Sequence, residues 1–441
     1  MSPVVARPHP LVEQFAAVQA QRSEPAWLKA RRQAALERFQ SLGFPTKRDE
    51  AWKYTSVAPI AKADLTPADP GHAVDAQALD ALRAPGLETH EIVLVDGVFR
   101  PEVTRDTGPL PDGVLVQSLA GALESGVVEK HLESHPDRDD LAFAALNAAY
   151  FADGVFVFVP KNVTVEKPVH IVHLGSRPER PQLQAPRILI VAETSARVQV
   201  LESYGASGEG GLTDAVTEVF VGANARVDHV KLQLEDEQAW HVAAILASID
   251  RDGTFDSHSI SIGGAIARND IRVRFEQPGG STTLNGLFVV HGEQLADHHT
   301  VVDHRVPHCT SRELYKGVLD EKGHGVFDGK VWVRPQAQKT DSVQTNKNLV
   351  LSKDAVIDTK PQLEIYADDV RCAHGATIGQ IDEDALYYLR ARGIGESAAR
   401  SLLTRGFATD VLDGIEPEPL RAAIQAWLVD KLPGAKELEA E

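Results

Sequence analysis

The spacing of apolar and polar residues changes twice along the chain. Up to about residue 150, apolar residues recur mostly at helical spacing, which is typical of amphipathic helices. From there to about residue 381, short apolar runs alternate with turns rich in Gly, Asn and Asp, which predicts many short strands. Helical spacing then returns. We therefore predict an α-rich N-terminal region over 1–150, a β-rich core over 151–381 and a C-terminal helical domain over 382–441.

The first region should contain two helical segments and one hairpin. A helix is predicted from Ser23, a candidate N-cap, to Gly43, which can end it. Its apolar positions fall on one stripe: Leu28, Ala35, Phe39 and Leu42. Asp96-Gly97 follows an apolar strand run and predicts a hairpin turn. Residues 114–150 show helical spacing again.

A loose repeat runs through the β-rich core. A small-x-apolar triplet begins at Ala196, Ala225 and Gly253, and again at Gly325 and Ala355. The stacked coils of a β-solenoid would produce such a repeat, because each coil buries its faces against its neighbours. Two alternatives remain open, namely chance recurrence in a chain rich in Ala and Gly, and a sandwich of short strands.

The spacing of apolar residues in the C-terminal region predicts three short helices. Asp382 can cap the first of them, and the third should span residues 418–431. The third helix carries one apolar stripe of four residues: Leu420, Ile424, Trp427 and Leu428. Three short helices have more apolar surface than they can bury against one another. We expect the stripe either to dock on the β-rich core or to contact a partner.

Composition and charge exclude several classes of protein. With 441 residues, 43% of them hydrophobic, the chain can form one large core. Its net charge of −18 repels phosphate backbones, so we expect no nucleic-acid partner. No segment approaches the length needed to span a bilayer, and the first ten residues lack the apolar run of a signal peptide. The sequence therefore predicts a cytoplasmic protein without a membrane partner.

Motifs of common enzyme classes are absent from the sequence. There is no Gly-x-x-x-x-Gly-Lys-Ser/Thr, so the chain is not a P-loop ATPase, and there is no Gly-x-Ser-x-Gly nucleophile elbow. No pair of carboxylates is singled out by spacing for acid–base work. Any dependence on ATP would have to come from a partner protein.

The chemistry that the sequence does offer centres on Cys372 and His374. In a strand, residues two apart face the same side, so the thiolate and the imidazole would lie side by side. Both groups bind iron, zinc or copper. The alternative is that both side chains merely pack inside a coil, since cysteine often behaves as a small buried hydrophobe. The chain has two cysteines, whereas iron–sulfur clusters take four thiolates, so any cluster here would need histidine, carboxylate or a second chain.

A second concentration of metal-binding residue types lies between His291 and Cys309. It contains these eight side chains: His291, Asp297, His298, His299, Asp303, His304, His308 and Cys309. Their spacing matches no recognised metal motif, and the adjacent His298 and His299 would point to opposite faces of a strand. We expect polar stacking inside or along the solenoid, with a metal site as the alternative.

Several long stretches resemble the SufB/SufD family of iron–sulfur cluster assembly proteins of the SUF system. They are Glu-Ala-Trp-Lys-Tyr at 50–54, Asp-His-His-Thr-Val-Val-Asp-His at 297–304, Ser-Arg-Glu-Leu-Tyr-Lys-Gly-Val at 311–318, Gly-Val-Phe-Asp-Gly-Lys at 325–330, Asp-Ser-Val-Gln-Thr-Asn-Lys-Asn-Leu-Val at 341–350 and Lys-Pro-Gln-Leu-Glu-Ile at 360–365. Cys-Ala-His-Gly-Ala-Thr at 372–377 resembles the SufD branch in particular. In the first stretch, Trp52 and Tyr54 are expected to anchor the N-terminal region to the core.

The resemblance implies a fold and a role. The fold would be mainly β, a right-handed parallel β-helix between an N-terminal helical region and a C-terminal helical domain. The role would be that of a non-enzymatic scaffold, paired with SufB along the β-helix and bound through its C-terminal helices to SufC, an ABC-type ATPase. His374, with Cys372 beside it, would help to assemble a transient iron–sulfur cluster or hold its iron, shared with SufB. Reduced flavin is linked to the full complex, but no residue here can be assigned to it.

Three questions stay open at the level of sequence. The isolated chain can be a monomer or a homodimer. A β-helix enzyme such as a polysaccharide lyase is a second function class, although such enzymes are usually exported. A metal-binding β protein that uses the histidines from His291 onwards is a third class, which metal analysis of the isolated chain would distinguish.

Overall fold

A computed structural model of the chain describes residues 9–69, 71–84, 86–105, 107–177, 180–206 and 211–432. The strands in chain order are β1 (Thr66–Pro67), β2 (His90–Val95), β3 (Val98–Phe99), β4 (Leu115–Ser118), β5 (Gly154–Val159), β6 (Val169–Gly175), β7 (Gln182–Gln184), β8 (Arg187–Ala192), β9 (Arg197–Ala206), β10 (Leu212–Val221), β11 (Arg226–Glu235), β12 (Trp240–Ile249), β13 (Thr254–Ser261), β14 (Ile266–Phe275), β15 (Ser281–Val290), β16 (Leu295–His304), β17 (Thr310–Leu319), β18 (His324–Val333), β19 (Asp341–Val350), β20 (Val356–Ile365) and β21 (Arg371–Gly379). The α-helices are α1 (Pro10–Ala20), α2 (Ala26–Leu42), α3 (Ala58–Lys62), α4 (Ala76–Leu82), α5 (Gly126–His131), α6 (Ala142–Tyr150), α7 (Glu383–Ala391), α8 (Glu396–Thr409) and α9 (Glu418–Lys431).

Successive strands of the core alternate between two parallel sheets. Sheet A contains the even-numbered strands from β8 to β20 together with β1, β4, β5 and β7, and sheet B contains the odd-numbered strands from β9 to β21 together with β2, β3 and β6. Leu212 on β10 pairs with Trp240 on β12, and Leu295 on β16 pairs with His324 on β18, so one coil takes 28 or 29 residues at these points. The predicted parallel β-solenoid is confirmed, and a sandwich of antiparallel sheets is excluded.

The first three triplets of the predicted repeat correspond to successive coils, and the last two do not. Ala196, Ala225 and Gly253 each precede the first residue of a strand, and those first residues are register partners in sheet B. Gly325 and Ala355 do not correspond in the same way, because Gly325 pairs with Ile357. The coil from β18 to β20 takes 32 residues, from His324 to Val356, whereas the coil from β16 to β18 takes 29, from Leu295 to His324, so the second half of the predicted repeat was out of register by two residues.

The N-terminal helices cover the outer face of sheet A. Helices α2 and α6 pack in one apolar cluster with Leu189 and Leu212 of the sheet. Helix α2 begins after Pro25, which makes no side-chain cap, so the prediction that Ser23 caps this helix was wrong. Three of the four stripe residues are buried as expected, but Leu42 is 43% exposed at the helix end.

Two segments of the N-terminal region belong to the sheets. Asp96 and Gly97 form the predicted hairpin turn between β2 and β3, with φ of 52° and 82°. Strand β2 then pairs in parallel with β6, which makes it part of sheet B. Residues 115–118 form β4, which pairs antiparallel with β5, so the helical prediction over 114–150 was wrong for these four residues. It holds for α5 and α6.

The C-terminal helices lie against the outer face of sheet B. The Asp382 side chain accepts the backbone N–H groups of Asp384 and Ala385 and caps α7, as predicted. Helix α9 has the predicted bounds. Among the described residues, none of the helices combines the length and the apolar character needed to cross a bilayer.

Candidate functional site

The solenoid has an uncovered end. Within the described residues, β20 pairs only with β18 and β21 only with β19, so both sheets stop at the same coil. Most residues of β20 are half-buried and most residues of β21 are exposed, whereas the preceding coils are largely buried. An edge strand presents a row of backbone N–H and C=O groups to which another strand can bind. The residues around 364–381 therefore lie where a second chain could be added to both sheets.

Cys372 and His374 lie together on this last coil. Their register partners on β19 are Ser342 and Gln344, whose side chains are buried inside the solenoid. The thiol and the imidazole therefore belong to the row of side chains that faces the solenoid axis, as the spacing of two predicted. Cys372 is half-buried against apolar residues of the last coils, while His374 is exposed.

The environment of the pair makes the thiol neutral and the imidazole accessible. Burial raises the pKa of the Cys372 thiol, even though a backbone hydrogen bond at Ser342 acts in the opposite direction. The described residues contain no group of three or more His, Cys, Asp or Glu side chains that could hold a metal ion. His374 and Cys372 are therefore at most half of a metal site, and the remaining donors would have to come from outside the described part of the chain.

A row of buried polar side chains lies directly beneath the pair. Every second residue of β19 faces the interior here, and all four are buried: Ser342, Gln344, Asn346 and Asn348. The Ser342 and Ser311 hydroxyls are hydrogen-bonded at 2.8 Å, and the Gln344 side chain donates to Glu313 at 3.3 Å. The end of the solenoid interior is thus polar, whereas the interior of the first coils is filled by Val and Ile.

Space for this polar row is made by a glycine on the opposite sheet. A Cβ atom at Gly329 would lie 2.4 Å from Nε2 of Gln344, well inside contact distance. Gly329 belongs to the Gly-Val-Phe-Asp-Gly-Lys stretch at 325–330. The polar residues of β19 alternate with period two in the sequence, and this pattern could have identified them as one face of a strand.

The residues from His291 to Cys309 do not converge. His298 and His304 point into the solenoid, where His298 lies between the rings of Phe288 and Tyr315 and His304 is hydrogen-bonded to Ser311 at 2.9 Å. Burial lowers the pKa of both histidines to about 3, so both are neutral. The predicted polar stacking is confirmed for these two side chains.

Outward-facing side chains of the same segment help to hold the N-terminal region against the solenoid. His299 points to the opposite face from His298 and lies 2.9 Å from Asp297, which also binds Arg268 at 2.6 Å. The Arg268 guanidinium lies 3.7 Å from the centre of the Trp52 ring. Trp52 is thus an anchor, as predicted, and Tyr54 is half-buried nearby.

The apolar stripe on α9 is not exposed. Leu420, Ile424 and Leu428 are buried in one cluster with residues of sheet B such as Leu201, Val230 and Leu287, and Trp427 is partly buried against the same cluster. Of the two outcomes that the sequence allowed, docking on the β-rich core is the one observed. In this structure, three of the four residues expected to bind a partner are inaccessible, because the outer face of sheet B is itself apolar and requires a cover.

Other residues of the C-terminal helices are exposed instead. Large apolar side chains stand in solvent on two helices: Tyr387 and Tyr388 of α7, which are 74% and 57% exposed, and Leu402 of α8. Ile378 of β21 is also exposed. These side chains were missed in the sequence because two adjacent tyrosines do not form a helical stripe.

Comparison with known proteins gives matches over most of the chain. Residues 173–407 match the family described as SUF system FeS cluster assembly, SufBD core domain, and residues 11–171 match the SufBD protein N-terminal region. The chain is 30% identical to the iron–sulfur cluster assembly protein SufD of Escherichia coli, over 91% of this chain and 92% of that protein. It is 31% identical to an iron–sulfur cluster assembly SufBD family protein of Synechocystis over 91% of both chains, and 28% identical to SufD of Bacillus subtilis over 93% of this chain and 95% of that protein.

Proposed function

Because this chain belongs to the SufBD family of iron–sulfur cluster assembly proteins, we propose that it is a non-enzymatic scaffold subunit on which a nascent cluster is held and then released. The observation that carries the proposal is the uncovered coil, where Cys372 and His374 share one face of an edge strand. Among the residues that the structure describes, the site has no set of donors that could retain a cluster without a partner. That property suits a scaffold, because a cluster held by shared ligands is lost when the subunits separate.

The proposed partner at this end is SufB. The unpaired edges of β20 and β21 suit the addition of strands from a second chain, in which main-chain hydrogen bonds supply affinity. Thiolates are the usual ligands of iron–sulfur clusters, and imidazole can replace them. SufB would then contribute the ligands that the described residues of this chain do not supply. Without SufB, the same edges are available to a second copy of this chain.

We assign the leading role in the pair to His374. Its ring is exposed, so it can bind iron without a change in the packing of the coil. The Cys372 thiol has a raised pKa and must lose its proton before it binds metal, which makes it the weaker donor at neutral pH. Iron acquisition through His374 is therefore the step that this chain supports.

The proposed ATPase partner is SufC, an ABC-type ATPase, bound through the C-terminal helices. We propose Tyr387, Tyr388 and Leu402 as the contact in place of the buried α9 stripe, since they are exposed and aromatic side chains on a surface are frequent anchors of interfaces. The chain itself has no P-loop, so nucleotide-driven motion would come from this partner. We propose a role for reduced flavin only in the assembled complex.

Co-expression with SufB and SufC tests the proposal. The complex is purified with His374→Ala, with Cys372→Ser and with His308→Ala, a control at an exposed histidine away from the open end. Iron and sulfide are measured per folded complex, together with the melting temperature. We expect a large loss of cluster for His374→Ala, a smaller loss for Cys372→Ser and none for the control, all at unchanged melting temperature. Full cluster content in the His374→Ala complex would refute the assignment.

A further inference from the structure

Glu313 differs from the other carboxylates that face the solenoid interior. Two of them have histidine partners: Glu202 lies 3.1 Å from His229, and Glu235 lies 2.8 Å from His241. Within the part of the chain that the structure describes, Glu313 forms no ion pair with Lys, Arg or His. A buried carboxylate without a cation is costly, so this side chain has a reason to hold a proton.

The hydrogen bonds of Glu313 do not replace a cation. The Thr300 hydroxyl donates to one carboxyl oxygen at 2.6 Å, and the Gln344 amide donates to the other at 3.3 Å. Burial is the largest influence on Glu313 and raises its pKa to about 7, against the smaller opposite effects of these two hydrogen bonds. Glu313 is thus balanced between its neutral and charged forms near neutral pH.

The groups that face Glu313 from the neighbouring strands leave it without a counter-charge. On β16, His298 and His304 are both neutral because burial lowers their pKa values. On β17 itself, burial raises the pKa of Tyr315, so the phenol keeps its proton. The register neighbours of Glu313 are the apolar Leu284 on β15 and the amide of Gln344 on β19.

Glu313 lies in one column with the candidate site. It is the register partner of Gln344, and Gln344 is the register partner of His374. Neighbouring strands are about 4.8 Å apart, so the backbones of Glu313 and His374 are separated by roughly 10 Å. A divalent cation about 10 Å from a carboxyl, at an effective dielectric constant of about 20, lowers its pKa by about two pH units.

We propose that loading a divalent cation onto His374 and Cys372 drives the ionisation of Glu313. The carboxyl O–H bond breaks, its electron pair stays on the carboxylate, and the proton passes to bulk solvent. This inference rests on the proposed function, because it takes His374 and Cys372 as the donors of the site. Glu313 then supplies a negative charge beneath the cation without being one of its ligands.

The coupling is reciprocal. If the cation favours the ionised carboxyl, the ionised carboxyl favours the cation by the same factor. A change of about two pH units in pKa corresponds to about a hundredfold difference in affinity between the two forms of Glu313. Cation binding should therefore strengthen as the pH rises through neutrality, by more than loss of protons from the two donors, Cys372 and His374, explains, and the excess should vanish in Glu313→Gln.

Calorimetric titration of the complex of this chain with SufB, using zinc(II) at pH 7 in two buffers with different ionisation enthalpies, measures the protons released, and His374→Ala identifies the zinc bound elsewhere. Glu313→Gln keeps the volume of the side chain and an oxygen that accepts from Thr300, but it has no proton to release. We expect the wild-type chain to release about half a proton more than Glu313→Gln, because a group with a pKa of about 7 is half protonated at pH 7. Glu293→Gln, at an exposed glutamate, should match the wild type.

Infrared difference spectra give an independent readout, since the band of the protonated carboxyl should disappear on zinc binding in the wild type alone. If zinc binding depends on His374 but the wild type and Glu313→Gln release equal numbers of protons, this inference is overturned and the proposed assembly site is unaffected. Absence of zinc binding that depends on His374 overturns the assembly site itself and the coupling with it.

Discussion

Replacing Arg268 by methionine should destabilise the protein and release the segment around Trp52 from the solenoid. The Arg268 side chain is buried and binds Asp270 at 2.9 Å and Asp297 at 2.6 Å. It also donates to the backbone carbonyl of Ala51 at 2.8 Å and stacks on Trp52. Methionine fills much of the same volume but removes the guanidinium that pairs with both buried carboxylates.

The expected cost follows from that loss of charge compensation. Breaking a buried ion pair by removing one partner costs about 3–5 kcal/mol, and loss of the stacking on Trp52 adds about 1 kcal/mol. Arg312→Met is the matched control, because Arg312 pairs with Asp341 on the surface, where an ion pair contributes about 0–1 kcal/mol. Adding Asp297→Asn to Arg268→Met should recover part of the lost stability, since one of the two orphaned charges is then removed.

The pH dependence gives a second check with a definite sign. Burial raises the pKa values of Asp270 and Asp297, and the Arg268 charge, the hydrogen bonds to these carboxyls and the other charges near them together lower the pKa values by more, so both are depressed in the folded state. Their stabilising effect is therefore present above the unfolded carboxyl pKa of about 4 and is lost as the pH falls through the folded values. In Arg268→Met the two carboxyls can take up protons, so the difference from the wild type should shrink between pH 7 and pH 4.

Urea unfolding followed by circular dichroism measures both effects, and limited proteolysis reports whether the segment around Trp52 is released. A free energy of unfolding for Arg268→Met within 1 kcal/mol of the Arg312→Met control would refute this account of the anchor.

Two further predictions concern the interior and the C-terminal helices. The difference in free energy of unfolding between Glu313→Gln and the wild type should shift by about 3 kcal/mol in favour of Glu313→Gln as the pH rises from about 4.5 to 7, and should then stay constant. The reason is that the Glu313 carboxyl ionises in the unfolded chain over that range but resists ionisation in the folded wild type. A difference independent of pH in thermal unfolding would contradict this prediction. Ile424→Ala should destabilise the docking of α9 by about 2–5 kcal/mol, because Ile424 is buried. Tyr387→Ala should leave stability unchanged and weaken the proposed binding to SufC, because Tyr387 is exposed. The opposite result in unfolding and pull-down assays would contradict the division between buried and exposed faces.

The sequence was sufficient for features that depend on local periodicity. The β-rich core, the cap at Asp382 and the bounds of α9 are all set by residues within a few positions of one another. The sharing of one face by Cys372 and His374 follows from the same short-range geometry. These predictions needed no knowledge of what lies on the neighbouring strand.

The rest depended on contacts between distant parts of the chain. The periodicity of α9 shows that the helix has an apolar face. Leu420 is buried because this face packs against the outer face of sheet B, which the sequence of α9 alone does not show. The state of Glu313 is set by Thr300 and Gln344, which are brought to it by coil stacking. The length of each coil must be known to place these neighbours, and the longer coil between β18 and β20 shows that this length varies.

The two edge strands at the open end belong to one coil, and this has a consequence for register. A single edge strand can slip by two residues against a partner and still present the same faces. Strands β20 and β21 are joined by a turn of residues 366–370 that reverses the chain, so slippage forward on one strand is slippage backward on the other. A partner that pairs with both strands can therefore slip only by breaking two rows of backbone hydrogen bonds at once. Slippage by two residues would move the partner's side chains by about 7 Å relative to Cys372 and His374, so backbone pairing at both edges positions any ligand that the partner brings.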